Sequence, residues 1–389
     1  MTSVDPWELL AFDSLLSDEE RAVREVVGRL VSEHVRPHVA RWFEEGQAPT
    51  RELAALFGQH GLLGMHLRGY GCAGTSVVSY GMACIELEAA DSGVRSIVSV
   101  QGSLAMYAIW KYGSEQQKQD LLPGMAAGTT VGCFGLSEPD HGSDPGSMKA
   151  RAVRDGDDWV LSGTKMWITN APVADIAVFW ARSDEGVRGF VVPTGTPGVT
   201  INEVKHKLSL RASSTGEVVL DGVRLPESAR LSGAIGLKAP LSCLTQARLG
   251  IVFGSLGSAR DCLLTAIAYA TSRQQFGRPI AGFQLTQAKL ADMALELQKG
   301  FLLALHLGRL ADAGTQRPEQ VSVGKLNNTR EALAIARTCR TILGANGISL
   351  EYPVLRHANN LESVLTYEGT SEIHQLVVGQ ALTGTSAFS

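Results

Sequence analysis

The strongest constraint on this chain is a change of period along it. From residue 17 to about 127, apolar side chains recur at helical spacing, as in Val23, Val26, Val27, Leu30 and Val31, behind a capping-box signature of Ser17 and Glu20. From about 130 to 231 the texture becomes short β-rich runs, "DWVLSGTKMWITN", "IAVFWAR", "GFVVPT" and "GEVVLDGVRL", punctuated by Gly, Pro, Asp and Asn. Long amphipathic stretches then return, among them "QLTQAKLADMALELQKGFLLALHLGRLADAG" and "SVGKLNNTREALAIARTCRTILGANG", each ending near Gly. This order reads as an α+β chain: an all-α N-terminal domain over 1–129, a β-barrel or sandwich over 130–236, and an antiparallel four-helix bundle over 237–389. No repeat or low-complexity linker separates the zones, so they are expected to pack together.

Several functional classes drop out early. With 389 residues, 44% of them hydrophobic, the chain can bury substantial cores, and a net charge of -4 without a Lys/Arg block argues against a nucleic-acid surface or a polybasic membrane patch. Six cysteines, Cys72, Cys84, Cys133, Cys243, Cys262 and Cys339, lie scattered without CxxC spacing, as free thiols of a reducing compartment do, so a cytoplasmic location is expected. The acidic opening "MTSVDPWELLAFDSLLSDEE" does not read as an export signal, and no membrane span is expected further on. "GYGCAG" at 69–74 fits G-x-G-x-x-G, but His66 and Arg68 interrupt the strand a dinucleotide fold needs and helices follow, so it reads as a loop between helices. His34 and His38 have i, i+4 spacing but enclose Pro37 and lack a carboxylate cluster, which leaves no metal site. No G-x-S-x-G elbow points to a serine hydrolase.

One carboxylate stands out near the end, in "LTYEGTSEIHQLV". Gly369, Thr370 and Ser371 are turn and N-cap residues, and Ile373, Leu376 and Val377 begin an apolar helix face, so Glu368 by itself reads as an acid near a favourable helix dipole. Five segments in order change its weight: "CFGLSEPDHGSD", "GTKMWITNA", "SRQQFGRPIAGFQLTQ", "ILGANGI" and "TYEGTSEIH" resemble the motifs of acyl-CoA dehydrogenases over nearly the whole chain. Within that family, "GYGCAG", "ELEAADSGVRSIVSVQGSLAM" and "LSLRASSTGEV" look most like glutaryl-CoA dehydrogenases.

The resemblance assigns roles by matching position. Glu368 resembles the base that takes a proton from the α-carbon of an acyl thioester while the β-hydrogen leaves as hydride to FAD. Such a base needs desolvation, and the thioester carbonyl needs hydrogen-bond donors. Phe134, Leu136, Ser137, Gly142 and Ser143, with Trp167, Ile168 and Thr169, look like flavin contacts, and Thr341, Gly344 and Thr370 like further FAD contacts. Arg273, Phe276 and Gln284 resemble residues that serve the FAD of a neighbouring subunit, which implies a homotetramer built as a dimer of dimers. Arg248 resembles a CoA-site arginine, Ser143 a thioester-side contact, and Gly369 lies beside the substrate. Arg95 followed by Ser96 occupies the place of the arginine that meets a distal carboxylate, and Glu88 and Tyr367 match decarboxylating members. An arginine unpaired in an apolar pocket favours a dicarboxylic acyl group, whereas an arginine at a helix start can also simply face solvent.

The implied reaction is oxidation of glutaryl-CoA and loss of CO2 to give crotonyl-CoA, with electron-transferring flavoprotein as acceptor. The alternative is a relative acting on another acyl-CoA or a carrier-protein thioester without decarboxylation. Val94 and Gly102 depart from the resembled pattern and are the places where acyl choice is expected to differ.

Overall fold

The computed structural model describes residues 4–388. Seven α-helices make up the first part: α1 (Asp18–His34), α2 (Val39–Glu45), α3 (Thr50–Gln59), then, after the two-residue strands β1 (Arg68–Gly69) and β2 (Cys72–Ala73), α4 (Val77–Ala90), α5 (Ser92–Ser99), α6 (Tyr107–Tyr112) and α7 (Glu115–Ala126). The capping box forms as the sequence implies: the Ser17 N–H donates to Glu20 Oε2 at 2.8 Å and the Glu20 N–H to Ser17 Oγ at 3.3 Å. Val27, Leu30 and Val31 are buried while Val26 stays exposed. The segment "GYGCAG" is the tight turn of the β1/β2 hairpin and the loop after it, with Gly69, Tyr70, Gly71 and Gly74 all at positive φ. Val100–Met106, between α5 and α6, winds as a π-helix.

The middle of the chain builds one mixed sheet of seven strands: β3 (Gly132–Gly135), β4 (Arg151–Asp155), β5 (Asp158–Thr169), β6 (Ile176–Ser183), β7 (Gly186–Pro193), β8 (Val199–Glu203) and β9 (Thr215–Pro226). Their order is β3-β6-β4-β5-β9-β8, with β3 parallel and β7 antiparallel to β6. "IAVFWAR" does not alternate because β6 is covered on both faces: Val178 and Trp180 join the helical core, Ala177 and Phe179 the separate core of the sheet. A register shift in β5 between Lys165 and Ile168 leaves Trp167 at φ +66° and 60% exposed, an indole pushed out of the sheet by a bulge.

The closing part holds α8 (Lys238–Ser272), the small hairpin β10 (Gln274–Gln275) and β11 (Arg278–Pro279), then α9 (Gln284–Asp312), α10 (Pro318–Ile342), α11 (Val354–Thr366) and α12 (Ser371–Thr383). Against the sequence expectation, α8 is long and apolar enough to cross a membrane; 72% of its most apolar window is buried inside the protein, which makes it the central core helix. It lies so close to α4 that a Cβ on Gly257 would overlap the Ile85 carbonyl. The first and last helical parts are also pinned by charge, since Arg309 on α9 pairs with the buried carboxylate of Glu20, its Nη2 donating at 2.7 Å.

Candidate active site

α11 stops at Tyr367, whose backbone turns extended, and two residues at positive φ follow, Glu368 at +54° and Gly369 at +101°. Thr370 then caps α12, its Oγ1 accepting the Ile373 N–H at 3.3 Å. A left-handed Glu is a strained residue and needs its surroundings to hold it. Two cations from other helices do so: Arg248 Nε on α8 donates to the Glu368 carbonyl at 2.7 Å, and Lys325 Nζ on α10 to the Gly369 carbonyl at 2.7 Å. His374 on α12 closes the third side, lying 2.9 Å from where a Cβ on Gly369 would sit.

The Glu368 side chain is different. Its Oε2 is out of contact with water and has no hydrogen-bond partner among the described residues. Burial raises its pKa from the ordinary carboxylate value, against the opposing charges of Arg95, Arg248 and Lys325. A desolvated, unpartnered carboxylate of raised proton affinity is what a general base for a weak carbon acid requires. His374 cannot share its role, because burial followed by the charges of Lys325 and Arg248 lowers its pKa to about 3.

Tyr367 carries the site onward. Its hydroxyl accepts from Arg95 Nη2 on α5, and Arg95 also donates from Nε to Glu88 Oε2 at 2.6 Å and from Nη1 to Ser99 Oγ at 2.7 Å. Arg95 is 0% exposed, so the solvent-facing reading fails. The idea that it lacks an anion fails too: Glu88, fully buried on α4, is its partner and accepts from Ser92 Oγ at 2.9 Å as well. Burial works against the Arg95 charge, but Glu88, Tyr367 and Cys84 together outweigh it and hold the guanidinium proton well above its usual affinity. Ser96 is occupied with its own helix, donating to the Ser92 carbonyl at 2.8 Å. Three cations, Arg95, Arg248 and Lys325, thus face two carboxylates, Glu88 and Glu368, a formal surplus of one positive charge that suits an anionic ligand.

A second group lies on the sheet. Phe134 and Leu136 are buried, Ser137 is half-buried, and Gly142 and Ser143 are exposed, with open space where a Cβ on Gly142 would go. The Ser137 carbonyl accepts from the Met166 N–H at 2.9 Å, which joins this loop to the bulge bearing Trp167. The Ile168 side chain is spent in the core of the sheet, while Thr169 pairs with Thr215. Beneath the loop, Lys165 Nζ reaches the Leu136 carbonyl at 3.0 Å and Glu138 Oε1 at 2.9 Å, and Glu138 also accepts the Lys149 and Ala150 N–H groups.

A third group sits apart. Arg273 and Gly344 line one cleft of ≈ 270 Å³ with Tyr269, Gln275, Ile280 and the 342–346 segment. Phe276, 93% exposed at φ +51°, and exposed Gln284 lie alongside, while Thr341 Oγ1 donates back to the Thr338 carbonyl. No residue lining this cleft belongs to the Glu368 cluster.

Sequence reasoning missed Lys325, Lys165, Glu138 and His374, whose Nδ1 lies 3.0 Å from Ser322 Oγ on α10. For Lys325 a signal existed: it interrupts the buried stripe of α10 formed by Val321, Asn328, Ala332 and Ala336. Gly102 and Val94, by contrast, have packing reasons. A Cβ on Gly102 would lie 2.6 Å from the Gly64 nitrogen, and Val94 is part of the helical core. Among the described residues no group of His, Cys, Asp and Glu is placed to hold a metal.

Residues 17–129, 133–223 and 235–383 match the N-terminal, middle and C-terminal domain models of acyl-CoA dehydrogenases. The chain is 37% identical to the human short-chain specific acyl-CoA dehydrogenase over 349 residues, 88% of this chain and 84% of that one. A crystal structure of glutaryl-CoA dehydrogenase from Mycobacterium smegmatis is 67% identical and superposes with a TM-score of 0.99 over 100% of both chains. A second from the same organism, in complex with FADH2, is 62% identical with a TM-score of 0.98, again over 100% of both.

Proposed function

The chain belongs to the acyl-CoA dehydrogenase family, and from that premise we propose that it oxidises glutaryl-CoA and decarboxylates the product to crotonyl-CoA and CO2. The cofactor is FAD, which when bound supplies the acceptor for the β-hydride. The exposed indole of Trp167, on a bulge tied to the Ser137 loop, whose Gly142 has open space where a Cβ would go, fits a large planar group. Phe134, Leu136, Ser137, Gly142, Ser143, Trp167, Ile168, Thr169 and Thr370 are the residues that would hold it in one protomer.

Glu368 Oε2 receives the α-proton, and its own backbone N–H polarises the thioester carbonyl as negative charge gathers there. Arg248 and Lys325 hold the carbonyls of Glu368 and Gly369, the two peptides that follow that N–H, and so fix the turn that presents it. At the far end, Arg95 uses one N–H on Glu88, one on Ser99 and one on Tyr367, and a guanidinium has five, so two remain for a substrate carboxylate. The observation that carries the glutaryl reading is this buried Arg95, one hydrogen bond from the residue preceding the base. Incubation with glutaryl-CoA and an artificial electron acceptor should yield crotonyl-CoA and CO2 in equal amounts. Glutaconyl-CoA without CO2 would keep the substrate and remove the decarboxylation, whereas no turnover with glutaryl-CoA would move the assignment to another acyl thioester.

The working assembly is a homotetramer in the cytoplasm that passes electrons to electron-transferring flavoprotein. Arg273, Phe276, Gln284, Thr341 and Gly344 serve the FAD of a neighbouring protomer, a reading supported by their separation from the Glu368 cluster and by exposed Phe276 and Leu285. Arg273→Ala should lower FAD retention, with cofactor loss following dissociation on dilution. A monomer holding a full complement of FAD in light scattering and absorbance would defeat the shared site.

A further inference from the structure

We propose that Lys325 is the residue that positions Glu368 and sets the pH at which it ionises, an inference that rests on Glu368 being the base. The geometry isolates Lys325. It is 1% exposed on α10, makes no ion pair among the described residues, and has one acceptor there, the carbonyl of Gly369, for three N–H donors. A buried ammonium without a carboxylate against it is costly and is removed or neutralised unless something nearby repays it. The anion whose charge acts on it is the Glu368 carboxylate, on the residue preceding its acceptor.

The other groups facing this point cannot do the same work. Arg95 from α5 is committed to Glu88, and Arg248 from α8 to the Glu368 carbonyl. Both are arginines, which keep their charge at any working pH. Tyr367 is held protonated by burial, and His374 from α12 is held neutral. Lys325 is therefore the cation that can titrate here. Burial lowers its pKa to about 7, with Arg248 and Arg95 adding to the fall and Glu368 opposing it. Base and lysine consequently ionise together: the ammonium favours the carboxylate, and the carboxylate favours the ammonium. The same contact fixes the Gly369 carbonyl in a turn that already carries two positive φ angles, so one side chain holds both the charge and the aim of the base.

The test compares holoenzyme with wild-type sequence, Lys325→Met, Lys325→Arg and Glu368→Gln. Two quantities are followed against pH: the rate of flavin reduction by glutaryl-CoA, and, without substrate, the infrared C=O band of the protonated carboxyl that disappears in Glu368→Gln. Removing the positive charge disfavours the carboxylate, so in Lys325→Met both midpoints should move up by about one pH unit, with the rate about tenfold lower on the rising limb and recovering above it. Lys325→Arg, which keeps the charge, should leave the midpoints near those of the wild type. If Lys325→Met does not fold, Lys325→Gln provides the neutral side chain. A rate lowered by one factor at every pH, with the carboxyl titration unmoved, makes Lys325 structural only and overturns the inference. Undiminished flavin reduction in Glu368→Gln is a separate failure, of the base assignment itself, and takes this inference down with it.

Discussion

Glu88 and Glu368 are the same residue type, both carry carboxylate oxygens withdrawn from water, and they sit on opposite sides of the Arg95 to Tyr367 contact. Glu88 lies within α4 with donors from Arg95 and Ser92 in place. Glu368 lies on a turn at positive φ with Oε2 unpartnered. The first arrangement spends its charge on holding a guanidinium still. The second leaves the charge unspent, which costs stability and keeps proton affinity high. A carboxylate with its donors satisfied orients other groups; one left without them is ready to take a proton.

The harshest way to break that comparison is at Glu368. Glu368→Gln keeps the shape of the side chain and should retain fold and FAD, yet flavin reduction by substrate should fall by at least about a thousandfold, as for loss of an essential proton acceptor. Stopped-flow bleaching of the flavin band measures it directly. Bleaching at a near wild-type rate would leave the unpartnered oxygen without a function.

Breaking the satisfied side should act on substrate choice. Arg95→Met should lower kcat/KM for glutaryl-CoA by about a hundredfold or more, since a carboxylate left buried and unpaired costs about 2–5 kcal/mol, while butyryl-CoA is unchanged or improved. The pairing with Glu88 adds a complication, because the single variant also strands Glu88 and costs stability. Arg95→Met combined with Glu88→Gln should regain thermal stability without regaining glutaryl-CoA turnover. Recovery of both would make the pair a structural unit with no part in selecting the acyl group.

The sequence made one half of this comparison far more legible than the other. The alternation of helical and β periods, the Ser17 cap and the Thr370 cap are local, and local spacing reports them. Glu368 could be found because it lies in a short contiguous motif. Arg95 and Glu88 were both visible as residues, but their ion pair was not, and so the reading that Arg95 waits unpaired for an anion went wrong. What holds Glu368 comes from Arg248 and Lys325, 120 and 44 residues before the residues they contact, on helices of their own. Such contacts depend on how α8, α10 and α11 cross, and no one-dimensional period encodes a crossing. Gly102 shows the converse: its departure in sequence suggested only acyl choice, and the structure adds a packing demand that no local pattern reports, since a Cβ there would lie 2.6 Å from the Gly64 nitrogen.

The mildest perturbation asks whether the satisfied carboxylate must sit where it does. Gly254 on α8 faces the pair, and a Cβ there would overlap Glu88 Oε2 and lie 3.2 Å from Arg95 Nε. The end of a Glu side chain ordinarily swings away at little cost, but this one is buried and tied to Arg95 at 2.6 Å and Ser92 at 2.9 Å, so Gly254→Ala must loosen one bond or the other. Two energies then oppose each other: overpacking of about 1–3 kcal/mol against a gain of about 1 kcal/mol for replacing Gly in a helix. Stability alone is therefore a poor gauge, and a small fall in thermal midpoint is expected. Gly379→Ala on α12, with nothing within 4 Å of its Cβ, supplies the helix gain without the clash and should be neutral or stabilising. The sharper reading is the ratio of kcat/KM for glutaryl-CoA to that for butyryl-CoA, which Gly254→Ala should lower by about tenfold as Arg95 is displaced, and Gly379→Ala should leave alone. An unchanged ratio in Gly254→Ala would mean that Glu88 only neutralises Arg95 and that its position relative to the substrate does not matter.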